Sequence, residues 1–151
     1  MGDLLNTDDT MANALFHWPL RIYWEDTDAG GVVFYANYLK FFERGRTEWL
    51  RSLGFSQEAL RRDEGAMFVV SDTAVRYLRP ARLDDEVIVT VRLAESGKAS
   101  LVIDQQALRV TAAGGEAELL AEGRIRIGCV DAQTLRPRRI PSHLLASIGL
   151  A

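Results

Sequence analysis

The stretch Ala36–Leu53, ANYLKFFERGRTEWLRSL, decides the fold class of this chain. Its small and apolar residues recur at spacings of three and four without a proline, which is the pattern of an α-helix. These residues are Tyr38, Leu39, Phe41, Phe42, Gly45, Trp49, Leu50 and Leu53. They cover much of the helix circumference, so we expect other elements to wrap around the helix. Gly54 follows as a residue type that commonly ends a helix.

The rest of the chain supplies mostly strands, because apolar and polar residues alternate before this helix and again after it. Ser56 predicts the start of a short helix over Gln57–Arg62, and Pro141–Ile148 is predicted to form a closing helix. Ala112–Gly115 has the composition of a hairpin turn. The predicted strands lie within Pro19–Glu25, Phe68–Tyr77, Val87–Leu93, Ser100–Thr111 and Leu119–Cys129. An antiparallel sheet is the only structure available to wrap the long helix, so the sequence predicts an α+β fold.

Length, composition and charge restrict the possible functions. The chain has 151 residues, of which 48% are hydrophobic, as in one ordinary globular domain. Its net charge of −3 gives no general attraction for nucleic acid or anionic lipid. One cysteine and two histidines exclude a disulfide framework and a multi-cysteine zinc site. With no targeting segment or membrane span evident, we expect a cytoplasmic protein with a flexible tail over residues 1–15 and one domain over residues 16–151.

The segment Asp26–Gly31, DTDAGG, places carboxylates in a loop just before the long helix. A helix N-terminus presents unpaired N–H groups, expected here at Tyr35, Ala36 and Asn37, and the positive end of the helix dipole. Such a terminus favours the negative charge of a phosphate, a carboxylate or an acyl-transfer oxyanion. A nearby carboxylate can act as nucleophile or general base, which suits hydrolysis of an activated ester such as a thioester. The alternative is structural, with both aspartates bonding the backbone of a turn.

Glu43 is a second candidate carboxylate, because it shares a helical face with Leu39 and Leu50. A carboxylate on an apolar face is either paired or functional. The structural alternative for Glu43 is neutralisation by Arg44 or Arg46. Three further residues are expected to be structural, namely His17, His143 and Cys129.

The stretch Asp26–Arg51, DTDAGGVVFYANYLKFFERGRTEWLR, resembles the signature of the 4-hydroxybenzoyl-CoA thioesterase family of hot-dog-fold proteins. More narrowly, the chain resembles the YbgC-like acyl-CoA thioesterases associated with the Tol-Pal system. The likeness extends to FHWPLRIYWEDTD at Phe16–Asp28, FSQEAL at Phe55–Leu60 and VRYLRPARLDDEV at Val75–Val87. It implies a curved antiparallel sheet wrapped around one long helix. It also implies dimers, often paired into tetramers, with active sites at the subunit interface.

The resemblance also implies roles for individual residues. The family's catalytic aspartate corresponds to Asp28, and the backbone N–H that polarises the thioester carbonyl corresponds to that of Tyr35. In a related branch of the fold, the carboxylate comes from the central helix at the position of Glu43. YbgC-like members commonly carry histidine where this chain has Tyr35. A role of that histidine side chain therefore does not transfer, whereas the backbone role does.

Three more positions are expected to contact substrate: Gly31 and Phe34 beside the helix start, and Lys98 as the nearest match to the family's phosphate-binding basic residues. The resemblance implies hydrolysis of acyl-CoA with no metal and no cofactor, since coenzyme A is part of the substrate. Expected partners are acyl-CoA, further copies of the chain and an acyl carrier protein, with neither nucleic acid nor a membrane span. The main alternative is an acyl-binding or scaffolding hot-dog protein without turnover. A dehydratase is less favoured, because no histidine is placed to act as its base.

Overall fold

A computed structural model describes residues 15–111 and 116–149 of the chain. Its five strands form one antiparallel sheet in the order β1–β3–β4–β5–β2. The strands are β1 (Phe16–Arg21), β2 (Ala66–Tyr77), β3 (Glu86–Ser96), β4 (Ser100–Arg109) and β5 (Glu118–Asp131). The helices are α1 (Asn37–Ser52), α2 (Gln57–Glu64) and α3 (Ser142–Ser147). The predicted α+β class, one long helix with an antiparallel sheet, is confirmed.

One face of α1 packs against the sheet. Phe42 of α1 and Val89 of β3 are both fully buried. A buried polar link joins the two layers: Gln105 Nε2 donates to the Phe42 carbonyl at 2.9 Å, and Arg46 Nη1 donates to Gln105 Oε1 at 3.0 Å. Burial lowers the pKa of Arg46, and the negative charge of Glu43 partly opposes this shift. Because these contacts fix the rotation of α1 on the sheet, they also fix which groups its first turn presents to solvent.

The first strand lies earlier in the chain than predicted. The sequence predicts a strand over Pro19–Glu25, whereas β1 ends before that segment does and Trp24–Asp26 forms a 3-10 turn. The turn closes because the Asp26 carboxylate accepts a hydrogen bond from the Tyr23 N–H at 2.8 Å. Trp24 therefore lies in this turn and not in a strand, and it is 80% exposed.

The other elements lie close to their predicted positions. Ser56 caps α2 as predicted, since its Oγ accepts a hydrogen bond from the Ala59 N–H at 3.3 Å. The predicted turn at residues 112–115 and the predicted tail, apart from Leu15, lie outside the described residues. Among the residues that the structure describes, no helix has both the length and the apolar character needed to cross a membrane.

Candidate active site

The loop between β1 and α1 folds back on itself as a short hairpin. The Asp28 N–H donates to the Val32 carbonyl at 2.8 Å, and the Gly31 N–H donates to the Asp28 carbonyl at 3.0 Å. Gly31 has a φ of +80°, a left-handed conformation that glycine adopts without strain. Asp28 Oδ1 accepts a hydrogen bond from the Gly30 N–H at 2.8 Å, so one oxygen serves the turn. Oδ2 has no hydrogen-bond partner among the described residues, and Asp28 is exposed.

Asp26, in contrast, holds the loop together. It is only 7% exposed, and its carboxylate closes the 3-10 turn described above. Its carbonyl oxygen accepts two hydrogen bonds, from the Phe34 N–H at 3.1 Å and from Asn37 Nδ2 at 2.8 Å. The structural interpretation of the aspartate pair therefore accounts fully for Asp26 and only partly for Asp28.

The first turn of α1 has unpaired N–H groups. Within the described residues, the N–H groups of Tyr35 and Ala36 donate no hydrogen bond. Ala36 occupies the N-cap position and provides no side-chain cap. The expectation of a third unpaired group was wrong, because the Asn37 N–H donates to the Phe34 carbonyl at 2.8 Å. The two remaining N–H groups lie where the positive end of the helix dipole favours an anion.

Exposed aromatic rings surround this helix start. Tyr35 is 63% exposed and Phe34 is 47% exposed, although both belong to a residue class that is usually buried at least in part. Tyr77, at the end of β2, donates its hydroxyl to the Tyr35 carbonyl at 3.0 Å and packs edge-on against the Tyr35 ring. Burial raises the pKa of Tyr77, and Tyr35 raises it further, so the hydroxyl stays a donor at neutral pH. The surface around the two free N–H groups is thus apolar.

Glu43 lies in a more polar setting than predicted. It is exposed, and its Oε2 accepts a hydrogen bond from Thr47 Oγ1 at 2.5 Å. Among the described residues Glu43 makes no salt bridge with Arg44 or Arg46, because Arg46 Nη1 donates to Gln105 Oε1 instead. Burial lowers the pKa of Arg46 and the charge of Glu43 still opposes this shift, so the structural alternative holds in part. The face that Glu43 shares with Leu39 is solvent-exposed at this end of α1. Within one chain, Glu43 lies about 12 Å along the helix axis from the Tyr35 N–H.

Lys98 lies apart from the helix start. It is exposed in the connection between β3 and β4, where its carbonyl accepts a hydrogen bond from the Ile140 N–H at 2.8 Å. Its ammonium group has no partner among the described residues. The single chain therefore brings together Asp28, Gly31, Phe34 and Tyr35, and leaves Glu43 and Lys98 outside that group.

Of the three residues expected to be structural, His143 and Cys129 have structural surroundings. His17 lies in β1 opposite Thr90, and its Nε2 is buried without a hydrogen-bond partner among the described residues, so its structural role stays a prediction. His143 bonds Glu64 Oε1 at 2.8 Å and thereby ties α3 to the end of α2. Cys129 is buried, which raises the pKa of its thiol.

A depression of about 660 Å³ lies on the other side of the sheet, lined by charged residues that include Asp104 and Arg124. Asp104 and Arg124 form an ion pair at 3.1 Å across β4 and β5. None of the candidate site residues lines this depression.

Sequence reasoning missed two residues of the site, Asn37 and Tyr77. Both act through bonds to backbone carbonyls distant in sequence, and no spacing rule predicts such bonds. For Asn37 a weak signal existed, because asparagine favours a position just before a helix over one inside it.

Comparison with known proteins connects this geometry to a family. The chain matches the sequence model of the Thioesterase-like superfamily over residues 22–148. The chain belongs to this superfamily. It is 43% identical to the acyl-CoA thioester hydrolase YbgC of Escherichia coli O6:H1, over 90% of this chain and 97% of that protein. It is 39% identical to the acyl-CoA thioesterase YbgC of Haemophilus influenzae, over 87% and 93% of the two chains.

Solved structures of thioesterases share its fold. A probable thioesterase from Bartonella henselae is 34% identical, with a TM-score of 0.77 over 85% of this chain and all of that one. The 4-hydroxybenzoyl-CoA thioesterase of Pseudomonas sp. strain CBS-3 has a TM-score of 0.80 over 88% of this chain and 98% of that one. At 19% identity, the second likeness shows the fold alone. The chain therefore has the hot-dog fold of this superfamily.

Proposed function

We propose that this protein hydrolyses acyl-CoA thioesters to a free acid and coenzyme A. The observation that carries the proposal is the unpaired Tyr35 N–H at the start of α1, next to the hairpin that presents the Asp28 carboxylate. The similarity to YbgC acyl-CoA thioesterases over nearly the whole chain supports the choice of substrate.

Each step of the reaction can be assigned to a group at this site. The Asp28 carboxylate attacks the thioester carbonyl carbon, or removes a proton from a water molecule that attacks it. The carbonyl oxygen then becomes an oxyanion, which the Tyr35 N–H and the helix dipole stabilise. Collapse of this intermediate breaks the C–S bond and releases the coenzyme A thiolate, a good leaving group. If Asp28 is the nucleophile, water then hydrolyses the acyl-aspartyl anhydride and regenerates the carboxylate. If Asp28 is the base, the proton that it took from water passes to the thiolate, which gives the free thiol and regenerates the carboxylate.

The remaining candidate residues have supporting roles in this proposal. Phe34 and Gly31 flank the reacting carbonyl and contact the acyl group. Lys98 binds a phosphate of coenzyme A through its free ammonium group. Glu43 is the alternative carboxylate. No metal or cofactor takes part, because a carboxylate and a helix terminus suffice for an activated ester.

A second copy of the chain completes the site in this proposal. β2 is an edge strand of 12 residues whose only neighbour among the described strands is β5, and a long exposed edge favours pairing with another chain. Val70 and Tyr77 on this edge are 52% and 45% exposed. Because Tyr77 also contacts Tyr35, pairing along β2 brings the second copy next to the helix start.

Sedimentation equilibrium tests this assembly. We expect a mass of at least twice 16.9 kDa for the wild type and a shift towards the monomer for Val70→Lys, which places a charge on the exposed edge. A monomeric wild type with full activity would contradict the shared site. Four further expectations stay predictions: a reducing, cytoplasmic setting, contact with an acyl carrier protein, pairing of dimers into tetramers, and association with the Tol-Pal system.

The test of hydrolysis is the Asp28→Asn variant, assayed with acyl-CoAs of several chain lengths and a thiol reagent that detects free coenzyme A. The asparagine oxygen can still accept the Gly30 hydrogen bond, so the turn and the free energy of unfolding should be kept. We expect kcat to fall at least ~100-fold, since the nucleophile or base is lost. Asp63→Asn, at an exposed position of α2, is the matched control and should keep wild-type turnover.

The alternative outcome would identify a binding protein. If the wild type binds acyl-CoA but releases no coenzyme A from any acyl chain, the chain binds or presents acyl groups without hydrolysing them. If Asp28→Asn turns over at the wild-type rate, the hydrolytic role of this carboxylate is wrong.

A further inference from the structure

Asn37 makes two hydrogen bonds that join the halves of the proposed site. Its side-chain Nδ2 donates to the Asp26 carbonyl at 2.8 Å, two residues before Asp28. Its backbone N–H donates to the Phe34 carbonyl at 2.8 Å. That carbonyl belongs to the same peptide group as the Tyr35 N–H. One residue therefore holds both the segment that carries the carboxylate and the peptide plane that carries the oxyanion donor.

The backbone bond sets the direction of the Tyr35 N–H. Because a peptide group is planar, fixing the Phe34 carbonyl also fixes the N–H on the opposite side of that plane. The same bond polarises the peptide group, since a hydrogen bond to a carbonyl strengthens the N–H as a donor. The Tyr35 N–H is thus oriented and strengthened by the first turn of α1.

The side-chain bond sets the position of the carboxylate segment. The Asp26 carbonyl also accepts the Phe34 N–H, which is part of the hairpin itself. Among the described residues, the Nδ2 bond is the only hydrogen bond between the hairpin and a side chain of α1. The Asn37 side chain is therefore the link that relates the Asp28 turn to the helix.

This use of asparagine differs from helix capping. A capping asparagine precedes the helix, and its side-chain oxygen accepts a hydrogen bond from a helix N–H. Asn37 is instead the first residue of α1, and its side chain donates outwards to the loop. The N-cap position itself, Ala36, has no side-chain cap. The Asn37 side chain thus bonds the loop to the helix, and it does not cap the helix start.

We propose that Asn37 is a positioning residue that sets the Asp28 carboxylate relative to the Tyr35 N–H. The inference rests on the proposed hydrolysis. A displacement of about 1 Å between reacting groups can lower a rate ~100-fold. Loss of the Nδ2 bond should therefore lower kcat and leave substrate binding, and hence KM, nearly unchanged.

Two substitutions separate positioning from stability. Asn37→Ala and Asn37→Asp both remove the Nδ2 donor, but an aspartate in the first turn of a helix is favoured by the helix dipole. We expect kcat to fall ~10- to 100-fold in both variants, with KM within about threefold of the wild type. The midpoint of thermal unfolding of Asn37→Asp should equal or exceed that of Asn37→Ala. Arg51→Ala, at an exposed position of α1, is the control and should keep wild-type kcat and KM.

The outcomes distinguish this inference from the proposed function. If kcat recovers in Asn37→Asp together with the unfolding midpoint, Asn37 acts only through stability and the inference is wrong. Wild-type kcat in Asn37→Asp, or a rise in KM with unchanged kcat, would also overturn it. If the wild type releases no coenzyme A, the proposed function fails and this inference fails with it. If Asp28→Asn keeps full turnover, the protein still hydrolyses acyl-CoA, but the carboxylate that Asn37 would position has no role in the reaction and this inference is wrong.

Discussion

The two ends of α1 are completed in different ways. At the C-terminal end, the Gly54 N–H donates to the Arg51 carbonyl at 3.0 Å, and glycine in a left-handed conformation turns the chain away from the helix. At the N-terminal end, the N–H groups of Tyr35 and Ala36 have no partner among the described residues. Burial differs in the same direction: Leu50 near the C-terminal end is 2% exposed, and Leu39 near the N-terminal end is 44% exposed.

The difference indicates a division of labour, by which we mean that one end of α1 contributes to stability and the other end to ligand binding. Unpaired backbone groups cost free energy when they are buried, so proteins normally cap them. The two helices differ in this respect: the Ser56 side chain caps the start of α2, whereas Ala36, at the N-cap position of α1, has no side chain that could cap it. We infer that the C-terminal end contributes stability, whereas the N-terminal end keeps its donors for a ligand.

The largest expected effect comes from a matched pair of leucine truncations on α1. Leu50→Ala should lower the free energy of unfolding by about 2–5 kcal/mol, because it removes a fully buried side chain and leaves a cavity. Leu39→Ala should change it by no more than about 0.5 kcal/mol, because that side chain is largely exposed and alanine favours helix. Urea unfolding of both variants measures the difference.

The size of the loss of unfolding free energy in Leu39→Ala, and its dependence on protein concentration, test this comparison further. If Leu39→Ala lost more than about 1.5 kcal/mol, the open end would be part of a buried surface and the division of labour would be wrong. A loss that grows on dilution of the protein would place a subunit contact at Leu39.

Features of the fold that depend on neighbouring residues were predictable from the sequence. The extent of α1, the glycine after it and the Ser56 cap follow from local spacing and side-chain chemistry. The first strand was placed wrongly because its end is set by bonds outside the segment. The Ile22 N–H donates to the Asp85 carbonyl at 2.9 Å, and the Asp26 carboxylate bends the chain into a turn.

The candidate site divides in the same way. The loop carboxylates and the unpaired helix start could be read from the sequence, and the resemblance to a family ranked Asp28 and Tyr35 within them. Asn37 and Tyr77 could not be predicted, because each acts on a carbonyl of a different element. The hydrogen-bond partner of Glu43, Thr47, was not predicted either. Arg46 interacts with Glu43 only through its charge, because its side chain is bonded to Gln105 on a distant strand.

The smallest expected effect compares two glycines, Gly54 after the closed end of α1 and Gly31 before the open end. Both have positive φ, of +95° and +80°, and an added Cβ would meet no atom within 4 Å at either. Substitution by alanine therefore costs only the strain of the left-handed backbone, about 1 kcal/mol at each position. Urea unfolding should show this loss equally in Gly54→Ala and Gly31→Ala.

Activity should separate the two variants. In Gly31→Ala the strain can relax by a shift of the hairpin, whose carbonyl and side-chain bonds hold Asp28, so kcat should fall. In Gly54→Ala the strain lies at the other end of a helix that is about 24 Å long, so kcat should stay at the wild-type value. If kcat were equal in the two variants at equal stability, a shift of the hairpin before α1 would affect the rate no more than strain after the C-terminal end of α1 does. The rate would then depend on the helix terminus alone, and the exact placement of the hairpin carboxylate would not matter.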